Sequence, residues 1–259
     1  MFRVESCWVA VGLLSMCFVS EAKDGGKSCS LEPFEGCGGV PKGLYSSPGQ
    51  RGSEDDVDIY EQLWISNLDI AEKTLNLPFL QHMKLGDLQA DAYVSFMIQD
   101  INYLLNVTKL LEEMSKKQIP DSDLQRFFQG TFKSYSDFSE LMLDQFHLKG
   151  VSEIRAIPAM EKYLSDYKSI LDQEEPIYAA VSLLPCSRLW LWLANQLPIG
   201  YGNAYFAWKR SNMQGDPGRH YRKLLHDHLK TGQQQKKANA IFRQQMQNEH
   251  DFFAAAAEH

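Results

Sequence analysis

From Glu54 onward, apolar residues recur every three or four positions, the period of helices that turn one face to a core. Val57, Tyr60, Leu63, Trp64, Leu68 and Ile70 mark a first helix over 54–73. Leu88, Ala92, Phe96, Tyr103 and Leu110 mark a second over 87–114. After Pro120, where Asp121 or Ser122 can cap, Leu124, Phe127, Phe128, Phe132, Tyr135, Phe138, Met142 and Phe146 form an aromatic stripe. Further helices are predicted over 157–171, 176–196, 203–213, 218–232 and 234–256. The breaks hold Gly or Pro, at Gly86, Pro120, Gly150, Pro198, Gly200, Gly215, Pro217 and Gly232. No alternating strand run or hairpin dipeptide lies between apolar segments. The pattern predicts an all-α, antiparallel multi-helix bundle, a class that holds small molecules between its helices.

The start of the chain differs. Arg3 precedes an uncharged apolar run from Cys7 to Val19, and Ser20-Glu21-Ala22 offers small residues where a signal peptidase reads. This predicts a signal peptide over 1–22 and a secreted or secretory-lumen protein, with an uncleaved anchor as the rival reading, favoured by Glu5. Residues 23–53, rich in Gly, Ser, Pro and Lys, read as a flexible segment that buries too little apolar surface to order itself. Residues 54–259 then form one helical domain with a sizeable core. No later stretch has the ~18 uninterrupted apolar residues of a membrane span. A net charge of -7 argues against non-specific nucleic-acid binding.

Four of the five cysteines lie in the first 37 residues; the fifth, Cys186, follows Leu183-Leu184-Pro185 and opens Leu189-Trp190-Leu191-Trp192-Leu193. After cleavage, Cys29, Cys37 and Cys186 remain. Cys29 and Cys37 are near enough in sequence to close a small loop, leaving Cys186 as the odd cysteine; a bridge from Cys186 to either is the alternative. A lone thiol in an apolar helix is core packing or a nucleophile. Two carboxylates occupy apolar surroundings: Asp100, within Phe96-Met97-Ile98-Gln99-Asp100-Ile101-Asn102-Tyr103, and Glu249, before Phe252-Phe253. The bland reading sets each on a solvent face, more readily for Glu249 because polar Gln244 to Asn248 precede it. Tyr163 and Tyr167, at helical spacing, read first as core.

Taken together, these stretches resemble the TenA or thiaminase II family over most of residues 56–257. Leu183-Leu184-Pro185-Cys186 matches the family's nucleophile motif, and Gln99-Asp100-Ile101-Asn102-Tyr103-Leu104 its pyrimidine-binding Asp and aromatic. Leu77-Pro78-Phe79 and Gly86-Asp87-Leu88 fit its N-terminal pattern, and Glu249-His250-Asp251-Phe252-Phe253 its C-terminal motif. The resemblance implies a haem-oxygenase-like bundle without haem and cleavage of thiamin or of an aminopyrimidine derived from it. It implies Cys186 as nucleophile, Asp100 as the group that orients the ring, Glu249 as proton-transfer group, Tyr103, Tyr163 and Trp190 as ring-lining residues, and Phe252 as a wall. No metal or organic cofactor is called for. Relatives tend to be tetramers, so a homo-oligomer, tetramer or dimer, is expected.

The chain also departs from the family. Trp190 stands where Tyr is usual, Asn212 stands where Tyr follows the tryptophan matching Trp208, and the stretch around Tyr163 matches only with a one-residue slip, which leaves the assignment of Tyr163 open and Tyr167 as a packing residue. These positions lie where ring and leaving-group contacts would be, so they bear on substrate choice more than on fold. A signal peptide is a further departure from a mostly cytosolic family. His220, His226 and His228 beside Arg219, Arg222 and Lys223 match no common zinc spacing and read as a solvated basic face. Asn106-Val107-Thr108 is a glycosylation sequon, expected to go unused in mid-helix. Three functions stay open: a thiaminase passing the pyrimidine to water, the same site passing it to an organic nucleophile, and a secreted thiamin-binding or helical signalling protein without turnover. The sequence leaves thiamin and its degraded pyrimidine undistinguished as substrates.

Overall fold

The computed structural model describes residues 58–149 and 154–256, the side chains of residues 145 and 146 excepted. The signal peptide expected over 1–22, the segment over 23–53, Cys29 and Cys37 lie outside the described residues. Among the described residues there are ten helices and no strand: α1 (Ile59–Ile65), α2 (Leu68–Leu75), α3 (Pro78–Leu85), α4 (Ala90–Lys116), α5 (Ser122–Phe146), α6 (Pro158–Gln173), α7 (Pro176–Gln196), α8 (Phe206–Asn212), α9 (Gly218–His228) and α10 (Gly232–Ala255).

The helix expected over 54–73 is two helices, and the break carries neither Gly nor Pro. Asn67, fully buried, turns the chain: its side-chain amide donates to the Leu63 carbonyl and to Asn239 Oδ1, both at 2.8 Å. A side chain that takes over a carbonyl from the helical ladder competes with helix continuation. Helix α3, which the periodicity did not separate, starts with Pro78 in its first turn and ends at Gly86, whose φ of 80° is left-handed. The Asn203 side chain closes that end, donating to the carbonyls of Met83 at 2.9 Å and Lys84 at 3.2 Å. Of the two caps offered before α5, Asp121 is used; it accepts from the backbone of Asp123 and Leu124. Helix α9 stops at His228 rather than at 232, because Thr231 caps α10 and exchanges a reciprocal capping box with Gln234.

Helix α7 is the centre of the bundle and packs against α6, α8, α9 and α10. It is apolar on nearly all sides, as a helix surrounded by protein should be. Among the described residues it is the one helix long and apolar enough to cross a membrane, and 83% of its apolar window is buried inside the protein. Its buried Arg188 is satisfied from α1: one guanidinium nitrogen donates to the Tyr60 carbonyl at 2.6 Å, another to Glu61 at 2.5 Å. The guanidinium also lies 3.8 Å from the Tyr60 ring centroid. A buried charge is tolerated only with partners of this kind. Helices α4, α6, α7 and α10 supply the side chains of the candidate site.

Candidate active site

Cys186, the one cysteine among the described residues, sits buried in the middle of α7. Pro185 precedes it inside the helix and has no N–H to give the Val181 carbonyl, so the backbone ladder is interrupted beside the thiol. The thiol hydrogen-bonds with Glu249 of α10. Glu249 is 1% exposed, and both of its oxygens are held: the Tyr163 hydroxyl donates to Oε1 at 2.6 Å, and the Trp190 indole N–H donates to Oε2 at 3.0 Å. Thus α6, α7 and α10 meet on one carboxyl group.

Asp100, on α4, is 4% exposed. Its carboxyl makes no hydrogen bond among the described residues, the opposite of what a buried structural carboxylate does. Burial pushes its ionisation well above the ordinary range, and the charge of Glu249 pushes it further. Burial also raises Glu249, against the hydrogen bonds from Tyr163, Trp190 and Cys186, which lower it. The solvent-facing reading of the two carboxylates is therefore excluded. The polar run from Gln244 to Asn248, which suggested a surface for Glu249, instead carries buried Gln245 and Asn248.

An aromatic wall closes one side. Phe96 stacks at 4.7 Å on Phe252 and at 5.8 Å on Trp190, and Phe253 lies 5.1 Å from Trp190. On the other side stand three phenols. Tyr103, one turn beyond Asp100, is hydrogen-bonded to Tyr167 at 3.0 Å, and Tyr167 contacts the Tyr163 hydroxyl at 3.4 Å. Burial is the main reason all three phenols ionise well above their ordinary value, so they remain neutral donors.

Of the residues expected from sequence, Cys186, Glu249, Tyr163 and Trp190 are joined by direct hydrogen bonds. Tyr103 is joined through Tyr167, Phe252 through the aromatic wall, and Asp100 electrostatically to Glu249. Tyr163 and Tyr167 both reach the cluster with their hydroxyls, and Tyr163 is the one hydrogen-bonded to Glu249. The Tyr167 hydroxyl meets those of both Tyr103 and Tyr163. Sequence reasoning missed a clamp beside them: Lys162 donates to Asn248 Oδ1 at 2.5 Å, while Asn248 donates to Asp166 at 2.9 Å. Residues 162 and 166 each precede a site tyrosine, and Asn248 precedes Glu249. The clamp therefore fixes the register of α6 on α10.

Asn212 is fully buried; its side-chain amide donates to the Trp208 carbonyl at 2.8 Å. Asn106 is half-buried in α4 and donates to the carbonyl and the side chain of Asn102 at 2.8 and 2.7 Å. In the basic cluster, Arg222 pairs with Asp58 and Glu61, and Lys223 with Asp227. Among the described residues no group of three or more His, Cys, Asp or Glu is placed to hold a metal. A cleft of about 200 Å³, lined by Ser95, Phe96, Gln99, Phe252, Ala255 and Ala256 among others, shares two rings with the aromatic wall.

The raised carboxyls make a prediction about stability. A carboxyl that keeps its proton to higher pH when folded than when unfolded makes the folded state bind more protons, so stability falls as pH rises between the two values. The loss is about 1.4 kcal/mol per group for each pH unit inside that window. Asp69, held near 2 by Arg243, works oppositely and only at acid pH. Urea unfolding at pH 5 and pH 8 should show lower stability at pH 8, and Asp100→Asn should reduce the difference.

No family model matches the chain, and no curated protein matches it. Solved structures do. A TenA homologue from P. horikoshii OT3 superposes with a TM-score of 0.62 at 18% identity, covering 78% of this chain and 99% of that one. A TenA homologue from Pyrococcus furiosus superposes with a TM-score of 0.62 at 15% identity, covering 76% of this chain and 99% of that one. Nearly the whole of each of these two structures is thus reproduced within this chain, which has the all-α, haem-oxygenase-like fold of the TenA homologues.

Proposed function

We propose that this protein is a thiaminase: Cys186 attacks the pyrimidine ring of thiamin, or of an aminopyrimidine derived from it, and the pyrimidine passes to water. The observation that carries the reading is the meeting of a buried thiol, a buried carboxyl and a second carboxyl without hydrogen bonds inside one bundle. A thiol attacks as thiolate and needs a base beside it. Glu249 is that base, hydrogen-bonded to Cys186 and raised by burial, so it can take the proton and return it. Asp100, kept protonated by burial, donates its proton to a ring nitrogen and accepts from the exocyclic amine with its other oxygen. Two carboxyls in different surroundings thus take different roles.

The sulfur adds to a ring carbon, the thiol proton passes to Glu249, and the ring nitrogen is protonated from Asp100. The bond to the thiazolium nitrogen then breaks, and its electron pair leaves with the neutral thiazole. Water adds at the freed carbon and loses one proton to solvent, the sulfur departs as thiolate, the ring-nitrogen proton returns to Asp100 and the Glu249 proton returns to Cys186. Phe96, Phe252 and Trp190 exclude bulk water from the ring face.

Transfer to an organic nucleophile is the second reading, suggested by Asn212 in place of an aromatic residue. Asn212 is sealed in the core against Trp208, which favours water. Products formed with and without added pyridine or aniline decide the matter: free hydroxymethyl pyrimidine under all conditions supports hydrolysis, and a base adduct supports transfer. Thiamin binding without any product would support the binding-protein reading. We further propose that the protein acts in the secretory lumen or outside the cell, on the strength of the apolar run from Cys7 to Val19. Its partners are then the small-molecule substrate and its own copies in a dimer or tetramer, with no nucleic acid and no membrane. Exposed Ile65, Leu85, Val94 and Tyr201 offer apolar surface for a subunit contact.

A further inference from the structure

The hydroxyls of Tyr103, Tyr167 and Tyr163 form a line that ends on Glu249, with separations of 3.0, 3.4 and 2.6 Å. A phenol carries one proton, so it can donate only once. The Tyr163 proton is given to Glu249. Tyr163 can then only accept from Tyr167, and Tyr167 can only accept from Tyr103. With Glu249 ionised, the whole line is oriented toward the carboxylate. The Tyr103 oxygen at its open end is then an acceptor and nothing more. It makes no other hydrogen bond among the described residues, and it lies one turn from Asp100, which also makes none.

Protonation of Glu249 reverses the line. Trp190 can only donate and occupies one lone pair of Oε2 in either state, so an added proton on Oε1 faces Tyr163. Tyr163 then accepts from Glu249 and donates to Tyr167, and Tyr167 donates to Tyr103. The Tyr103 proton is released to point outward. We propose that Tyr167 is a positioning residue, the middle link through which the protonation state of Glu249 sets whether Tyr103 accepts from or donates to the substrate. In the proposed reaction Glu249 gains a proton as the sulfur attacks. Tyr103 thereby changes from an acceptor for an amine N–H to a donor as charge develops on the ring. The inference rests on the proposed function for the identity of the ligand, and on geometry alone for the coupling.

The groups that face Glu249 are few. Asp100 comes from α4, Tyr163 and Tyr167 from α6, Cys186 and Trp190 from α7. Helix α2 reaches α10 with the Asp69–Arg243 pair, and Asn67 of the α1–α2 turn meets Asn239 and Arg243. Helix α3 brings Phe79 against Phe253, and no hydrogen bond or ion pair joins α1 or α3 to α10 among the described residues. On α10 itself His250 and Asp251 pair with each other. At 3.4 Å the Tyr163–Tyr167 contact is long for an O–H···O bond, which makes it the link most easily broken.

The test is Tyr167→Phe, which keeps the ring and removes the hydroxyl. The ligand-free readout is the infrared carbonyl stretch of Glu249, assigned by difference against Glu249→Gln and followed over pH. Chains of hydrogen bonds strengthen one another, so loss of the Tyr167 donor weakens the Tyr163 bond to the carboxylate. The midpoint should rise by roughly half to one pH unit in Tyr167→Phe, and by less in Tyr103→Phe. An unchanged midpoint in Tyr167→Phe overturns the coupling. Thiamin affinity in a Cys186→Ser background supplies the second arm. Tyr167→Phe and Tyr103→Phe should each weaken binding about threefold to tenfold, and together no more than Tyr103→Phe alone. Effects that multiply would show two independent contacts and contradict the proposal. Absence of thiamin binding in the Cys186→Ser parent would count against the function while the infrared arm still decides the coupling. Should Tyr167→Phe not fold, Tyr103→Phe reads the same line from its other end, and its failure to move the Glu249 midpoint upward is equally decisive.

Discussion

Glu249→Gln is expected to lower the rate of thiamin cleavage by about 10²- to 10⁴-fold while leaving the protein folded. The substituted amide still offers an oxygen to one of Tyr163 and Trp190, so packing at the meeting point of α6, α7 and α10 is retained. It can no longer take the Cys186 proton. The fall should appear in kcat and kcat/KM together, because the lost interaction forms as the sulfur attacks rather than when thiamin binds. Steady-state kinetics with melting temperatures check this. A variant of near wild-type rate would remove Glu249 from the chemistry.

Cys186→Ser is the larger effect. Serine is close in volume to cysteine but far less nucleophilic beside a carboxyl base, and cleavage should fall by at least ~10³-fold. Binding should survive, because in the account the ring is held by Asp100, Tyr103 and the aromatic wall. Stability should change by about 1 kcal/mol or less, since the hydroxyl inherits a hydrogen bond to Glu249. Stopped time courses, and calorimetry with thiamin, separate these outcomes. Activity kept in the variant would turn Cys186 back into a core residue.

The sequence made most of the bundle legible because its helices are long, amphipathic and punctuated. Helix α7 has the bounds that its apolar run and Pro176 indicated, and α5 starts at the cap offered by Asp121. Two features were not legible. Asn67 ends α1 with a side-chain bond to a carbonyl and to Asn239, which lies in α10, and no local signal marks such a contact. Helix α3 is only eight residues long, too short for periodicity to isolate.

At the site, the residue types and their order pointed to Cys186, Asp100 and Glu249, but the roles of their neighbours depend on pairing between helices. Tyr163 and Tyr167 share one helical face, and nothing in their spacing reveals which hydroxyl meets Glu249. The polar composition before Glu249 suggested a surface, whereas Asn248 is buried because Lys162 and Asp166 satisfy it from α6. A polar run can line a buried seam when the facing helix supplies the partners. Trp190, read from sequence only as a ring of unusual size, turns out to be a hydrogen-bond donor to Glu249.

The most direct measurement is the amount of thiamin remaining, by chromatography, after incubation with the wild-type protein. Thiamin is expected to disappear, with equal release of free thiazole and a hydroxymethyl pyrimidine. Thiamin and aminopyrimidine derivatives that all survive unchanged would contradict this expectation.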